Sequence, residues 1–344
     1  MALFRRRPSR SASVAPAIAE FWAWWPEVGR QLAETSSDEL PEDLGERLMA
    51  RIQAIHPELS WSVREGARAR RALIVSSGGH AELRGVAERW LRAAPEAGPD
   101  WEFLSAFPPA PDDLDAAVDF EGHELDLGHV SLGLRVDGRR ARVDITAYHP
   151  DFAFLPDEAR AVIAAHVLTA ALGEDQVARW IGAVNTVTER PLDALPPSSL
   201  PAVVDQLAQT HAAPSWLTGE GRTARGHPAL IAVRFPLRRV DFPLYEQHIV
   251  VGLPYQHSGP DRLPVDPSGA SLRGFADTGL ALVPGAVLVA HETGDDQRVF
   301  HLYADPESGA AAAIEQLAAG WSEGRARVST TSDPSWAAIE AYMY

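Results

Sequence analysis

The chain contains no cysteine. That excludes a disulfide frame, a thiol nucleophile and cysteine-ligated zinc or iron–sulfur clusters. It contains no lysine either: all 31 basic residues are arginine. Schiff-base catalysis, a pyridoxal phosphate anchor, the P-loop lysine and the strand lysine of protein kinases go with it. A G-x-S-x-G elbow is missing, which leaves a serine hydrolase without its usual nucleophile turn. No apolar run approaches the ~18 residues of a membrane span. The opening MALFRRRPSRSASVAPA is basic but lacks the apolar h-region of a secretory signal. Residues 1–15 therefore read as a disordered basic tail, and the expected location is cytoplasmic.

What is present describes an acidic globular protein. The 344 residues are 46% hydrophobic and 23% charged, with a net charge of −16, a composition for about two domains with ample core. The first ten residues hold four arginines and no acid, so the remainder carries a net charge of −20. Such a body repels nucleic-acid phosphates and anionic lipid and favours a basic protein partner.

Three tryptophans crowd the stretch AEFWAWWPEVGRQL at residues 19–32. Ile18, Phe21, Trp22, Trp25, Val28 and Leu32 follow helical spacing and form one stripe. A membrane-surface helix would carry arginines on its polar face, whereas Arg30 here stands among acids. The stripe reads as core, with Trp24 on its flank and Pro26 as the point of a kink or restart.

Beyond it, helices are predicted over 43–55 and 83–94, and strands at 61–63, 72–76 and 101–107. A hairpin turning at Asp137–Gly138 would pair Val136 with Arg139 and Leu134 with Ala141. A helix follows with His166 on its apolar side, then a strand at 183–187 and a helix at 203–207. Residues 213–228, rich in Gly, Pro and Thr, read as a linker between an N-terminal α+β domain (16–212) and a C-terminal domain (229–344). The second half has strands at 229–235, 245–252 and 325–331. Its helices fall over 272–280 and around Ile314 to Trp321, and a hairpin turns at Gly294–Asp295. A final helix would be capped by Asp333. Apart from a leading strand and that last helix, the order β-α-β-β-α-β is that of a ferredoxin-like sandwich. The expected fold class is α+β, two ferredoxin-like domains with the first elaborated.

The stretches FWAWWPE and SSGGHAELRGVAERWLRAAPEAGPDWEFLSAFPPA resemble an uncharacterised bacterial family. RVFHLYAD (298–305) and DPSW (333–336) resemble the domain of unknown function 695. That domain is similar in turn to ribonuclease E regulator B proteins, acidic ferredoxin-like inhibitors. The resemblance implies a nuclease or other basic protein as partner. It implies no catalytic residues and no cofactor.

The densest group of potential ligands is EGHELDLGH, Glu121 to His129, with His123, Glu124, Asp126 and His129. It lacks the H-E-x-x-H spacing that sets two imidazoles on one metal, and before a strand it reads as a solvated loop. SSGGH (76–80) is a strand-to-helix turn, with an anion cradle as its alternative. The parity of His291 and His301 in the proposed hairpin places them on opposite faces. Trp216 and Trp24 are the candidates for exposed contacts. The expectation is a non-catalytic protein-binding or regulatory protein of inhibitor type. Its rivals are a metal-assisted hydrolase using His123, Asp126 and His129, and an immunity-type protein that neutralises a toxin. No catalytic, metal or cofactor residue is assigned.

Overall fold

The computed structural model describes residues 14–34, 41–120 and 123–342. All but the last two residues of the predicted basic tail, and Glu121, lie outside them. The chain is a mixture of helices and sheets, α+β, in two compact units, Met1–Ala106 and Phe107–Tyr344.

The first unit comprises α1 (Ala15–Glu34), α2 (Glu42–Ile55), β1 (Ser60–Glu65), β2 (Arg71–Ser76), α3 (Arg84–Arg92) and β3 (Trp101–Leu104). Its sheet runs β1-β2-β3, the first pair antiparallel and the second parallel. The stripe on α1 is buried as its spacing requires: Phe21, Val28 and Leu32 pack with Leu48 and Ile52 of α2, Leu73 of β2 and Trp90 of α3. The crowded tryptophans are core. Trp22 donates its indole N–H to the Trp90 carbonyl at 2.8 Å, and Trp101 donates to the Gly29 carbonyl at 2.8 Å. Gly29 also makes room for the Trp25 indole, from which a Cβ there would stand 2.9 Å. Trp24 lies on the flank, half-buried beneath Arg47 and Arg51 of α2. Pro26 sits inside α1 without ending it, so the restart anticipated there does not occur.

The second unit begins with the hairpin β4 (Ala117–Phe120) and β5 (His123–Asp126). A mixed sheet follows, β6 (Ser131–Asp137), β7 (Arg142–Tyr148) and β8 (Ile181–Val187), with α4 (Asp157–Leu172) and α5 (Glu174–Trp180) before β8. Over 16–212 the strands thus fall into three separate sheets rather than one sandwich. In each three-stranded sheet an antiparallel hairpin is joined by a helical crossover to a parallel third strand, the connection parallel pairing demands.

The β6–β7 turn is longer than two residues. Asp137 pairs with Arg142, because the Asp137 carboxylate accepts the N–H groups of Arg139 and Arg140 at 3.0 and 3.2 Å and organises a wider loop. Leu134 consequently faces Ile145 rather than Ala141. The slip is even in residues, so the same side chains remain on the buried face.

After α6 (Leu200–Thr210) come β9 (Ser215–Arg222), β10 (Pro228–Phe235), β11 (Gln247–Pro254), α7 (Ser268–Gly274), β12 (Ala286–Gly294), β13 (Gln297–Ala304), α8 (Ala310–Ala319) and β14 (Arg327–Ser332). Their strands form one antiparallel sheet in the order β14-β11-β13-β12-β10-β9. The stretch 213–228 is therefore not a linker. Ser215–Arg222 pairs along its whole length with β10 as the outermost strand, and the division between the units falls after Ala106. The β12–β13 turn is Asp295–Asp296, both with positive φ, and a bulge at Val289 shifts the pairing so that His291 faces Phe300.

One face of this sheet packs Ile249, Val251, Phe300 and Leu302 against Leu272 of α7 and Ile314 of α8. On the other, Val287, Val289 and Tyr303 meet Leu237, Trp336 and Ile339. The DPSW segment locks that side. Asp333 accepts the N–H groups of Ala337 and Ala338, each at 2.9 Å, and the hydroxyl of Tyr303 at 2.5 Å. It caps as expected, but the turn it starts, Ala337–Tyr342, is 3-10 rather than α.

Candidate functional site

The histidine–carboxylate cluster does not assemble as a metal centre. The side chain of His123 lies outside the described residues. Asp126 and His129 form an exposed pair at 3.4 Å. A further imidazole, His149, has its ring centroid 6.2 Å from that of His129 and is only 2% exposed. Its Nδ1 accepts the Asp151 N–H at 3.1 Å, so its Nε2 carries the proton and donates to the Asp126 carbonyl at 3.0 Å. Both nitrogens are occupied by the fold. Among the described residues no three His, Asp or Glu side chains are grouped to hold a metal ion.

The other polar motifs also resolve. His166 is exposed, and the buried side of α4 is Ile163, Ala164, Val167 and Leu168; the expected core histidine is a surface residue. In SSGGH the Ser76 hydroxyl accepts the Gly78 N–H at 2.9 Å, and both glycines take positive φ. Glycine alone adopts that backbone without strain. Ser268 donates to Glu323 and lies 3.2 Å from Nδ1 of His257, but it is fully buried and its proton is committed to the carboxylate. It makes no nucleophile.

His291 and His301 do sit on opposite faces. His301 instead stacks on His248, with Nδ1 and Nε2 3.1 Å apart, and His248 stacks on Tyr303. Burial holds His248 below the usual imidazole range, and burial followed by the neighbouring His248 pushes His301 down to about 4. A neutral pair of this kind fills the sheet face beside the Tyr303–Asp333 contact.

The feature that stands apart is a cleft of about 290 Å³ in the second unit. Leu217 and Gly219 of β9, Ile231 and Val233 of β10, and Leu237 give it an apolar lining. Four arginines line it as well: Arg140 and Arg142 from the β6–β7 hairpin, Arg234 of β10 and Arg238 just beyond it. Among the described residues lining it, Glu220 is the one acid. In a chain of net charge −16, this is a local reversal of sign.

Arg238 is the unusual member. It is 5% exposed, its Nε donates to the Arg179 carbonyl at 2.7 Å, and its guanidinium lies 3.8 Å above the Trp180 ring. Its Nη2 is buried and has no acceptor among the described residues. Burial lowers its pKa to about 10; Asp241 opposes the shift, while Arg142 and Arg179 add to it. Asp241 already accepts from Arg179 at 2.7 Å. Arg238 thus sits in the field of two like charges, with Asp241 as the opposing one.

Beside the cleft runs β9, the edge of the sheet. All eight of its residues are exposed, Trp216 and Leu217 at 43% and 50%. An edge strand presents unpaired N–H and C=O groups, which soluble proteins normally blunt with proline, bulges or repeated charge. This one carries Glu220 and Arg222 near one end, and its pairing to β10 is free of bulges. Trp216 was legible in the sequence as an exposed contact; the arginine cleft was not, because its members come from separate segments.

Fold and cleft together define an α+β chain with an exposed sheet edge beside a cationic pocket. Residues 222–344 match the family of unknown function DUF695, so the chain carries a C-terminal DUF695 domain. No curated protein and no solved structure matches the chain. No described helix is long and apolar enough to cross a membrane.

Proposed function

We propose that the chain is a non-catalytic binding protein that takes up an extended acidic segment of a partner protein by strand addition along β9. The observation that carries this reading is the exposed, bulge-free edge of β9 lying against a cleft lined by four arginines. Strand addition satisfies the open backbone groups of an edge, and neighbouring pockets select the side chains. Arginines select carboxylates, since their planar forks match that group. The overall acidity favours a basic partner at a distance, but the charge at the cleft has the opposite sign, and contact is decided locally.

The order β14-β11-β13-β12, with α7 and α8 as crossovers, supports reading this part of the DUF695 domain as a ferredoxin-like sandwich with β10 and β9 added at one edge. A regulatory or inhibitor-type role is consistent with that reading as fold-level analogy.

The test is a titration of the full chain with the acetylated peptide Glu-Val-Glu-Thr-Glu-Val-Glu-Thr and its Lys-for-Glu counterpart. The acidic peptide should bind, more weakly as salt shortens the screening length, and the basic one should not. Equal affinity for both, or for neither, contradicts the reading.

A further inference from the structure

We propose that Arg238 forms an oxyanion subsite within this cleft, one that takes a single carboxylate or phosphate group. The inference deepens the binding reading above and rests on it for its biological meaning. Its grounds are separate: a guanidinium 95% removed from solvent, lining a cleft, with one of its nitrogens lacking an acceptor.

A buried donor left unpaired costs the full desolvation of that group, and more when it is charged. The fold bears this cost at Nη2 of Arg238. The guanidinium is held by the Arg179 carbonyl on Nε and by the Trp180 ring on its face. Arg142 is tied by its Nη1 to the carbonyls of Ala178 and Ile181, at 2.8 and 3.3 Å. Asp241 is engaged by Arg179. Arg142 and Arg179 both set like charge against Arg238, and Asp241, which opposes them, is bonded to Arg179. Nη2 is itself shielded from solvent, so an oxyanion reaches it as the cleft lining gives way; with Nε and the guanidinium face already held, little ordering of Arg238 remains to be done on binding. A neutral acceptor would meet this donor but leave the buried charge uncompensated, and a cationic ligand would do neither.

Trp180 supplies the readout. An anion drawn to Arg238 alters the field at the indole beneath it, so Trp180 emission should change saturably as inorganic phosphate or acetate is titrated into the full chain. The Trp180→Phe chain should lose that change. Phosphate and acetate form the two arms: a response to acetate alone assigns the subsite to carboxylates, and a response to phosphate alone assigns it to phosphate groups. Arg238→Gln should weaken the response about tenfold or more, as loss of a charged hydrogen bond implies. Arg238→Lys, which keeps the charge but loses the fork, should fall between. The unsubstituted chain decides the matter even where a variant fails to fold: no saturable response to either anion overturns the subsite, as does a response that Arg238→Gln retains in full. If the acidic peptide binds but neither anion does, the binding reading stands and the subsite falls. The reverse result keeps the subsite and removes strand addition.

Discussion

The indole of Trp336 stacks on the phenol ring of Tyr303, their centroids 4.1 Å apart and their planes 20° from parallel. Both side chains are fully buried. The Trp336 N–H donates to the Tyr245 carbonyl at 2.6 Å, and the Tyr303 hydroxyl donates to Asp333. Burial, followed by the bond to Asp333, pushes the Tyr303 phenol above its ordinary range. The DPSW segment is thus a clasp that closes the sheet face opposite α7 and α8.

Trp336→Ala should cost about 3–5 kcal/mol, the range for a buried aromatic whose cavity does not collapse. Tyr303→Phe should cost about 1–3 kcal/mol, since Asp333 then loses a donor while staying partly buried. Urea unfolding midpoints measure both. A loss below 1 kcal/mol for Trp336→Ala would show that the clasp does not hold the unit together.

The tryptophans of α1 should separate by position. Trp25 is buried against Phe21 and Trp101, and its replacement by alanine should cost about 3–5 kcal/mol. Trp24 is half-buried, edge-on to Phe21 and beneath Arg47 and Arg51, and each cation–π contact is worth about 0.5–1 kcal/mol at exposed sites. Its alanine variant should remain within about 2 kcal/mol of the parent on that figure. Similar losses at the two positions would contradict the assigned stripe.

Stability should fall as pH is lowered from about 6.5, the ordinary imidazole value, towards 4. Burial, with Arg298 secondary, holds His291 at about 4, and His301 is held at about 4 by burial and His248. Between those limits the unfolded chain binds more protons than the folded one, so acidification favours unfolding; above pH 6.5 both forms are neutral and the effect vanishes. Unfolding midpoints across pH 4.5–7.5 should show this slope, and His301→Gln should flatten it. A slope unchanged in that variant would remove His301 from the account.

Much of this architecture is legible in the sequence where burial is one-sided. Phe21, Trp25, Val28 and Leu32 announce their helix because a stripe must be buried against something. The failures have physical causes. Asp137 lengthened its turn through a side-chain hydrogen bond that a dipeptide rule does not register. Ser215–Arg222 looked like a linker because a wholly exposed edge strand needs no hydrophobic alternation. His166 lies just off the buried arc of α4, an angular difference smaller than helical spacing resolves. The arginine cleft was invisible because Arg140 and Arg142 meet Arg234 and Arg238 only through tertiary structure, and one-dimensional charge counting reported only the acidic total.

Hydrogen exchange along β9 in the presence of the acidic peptide tests the central claim most directly. Strand addition places new acceptors on the outward N–H groups of Ser215–Arg222, so their exchange should slow on saturation while amides of β14, the opposite edge, remain unchanged. Peptide binding that leaves every β9 amide exchanging at its original rate would contradict the account.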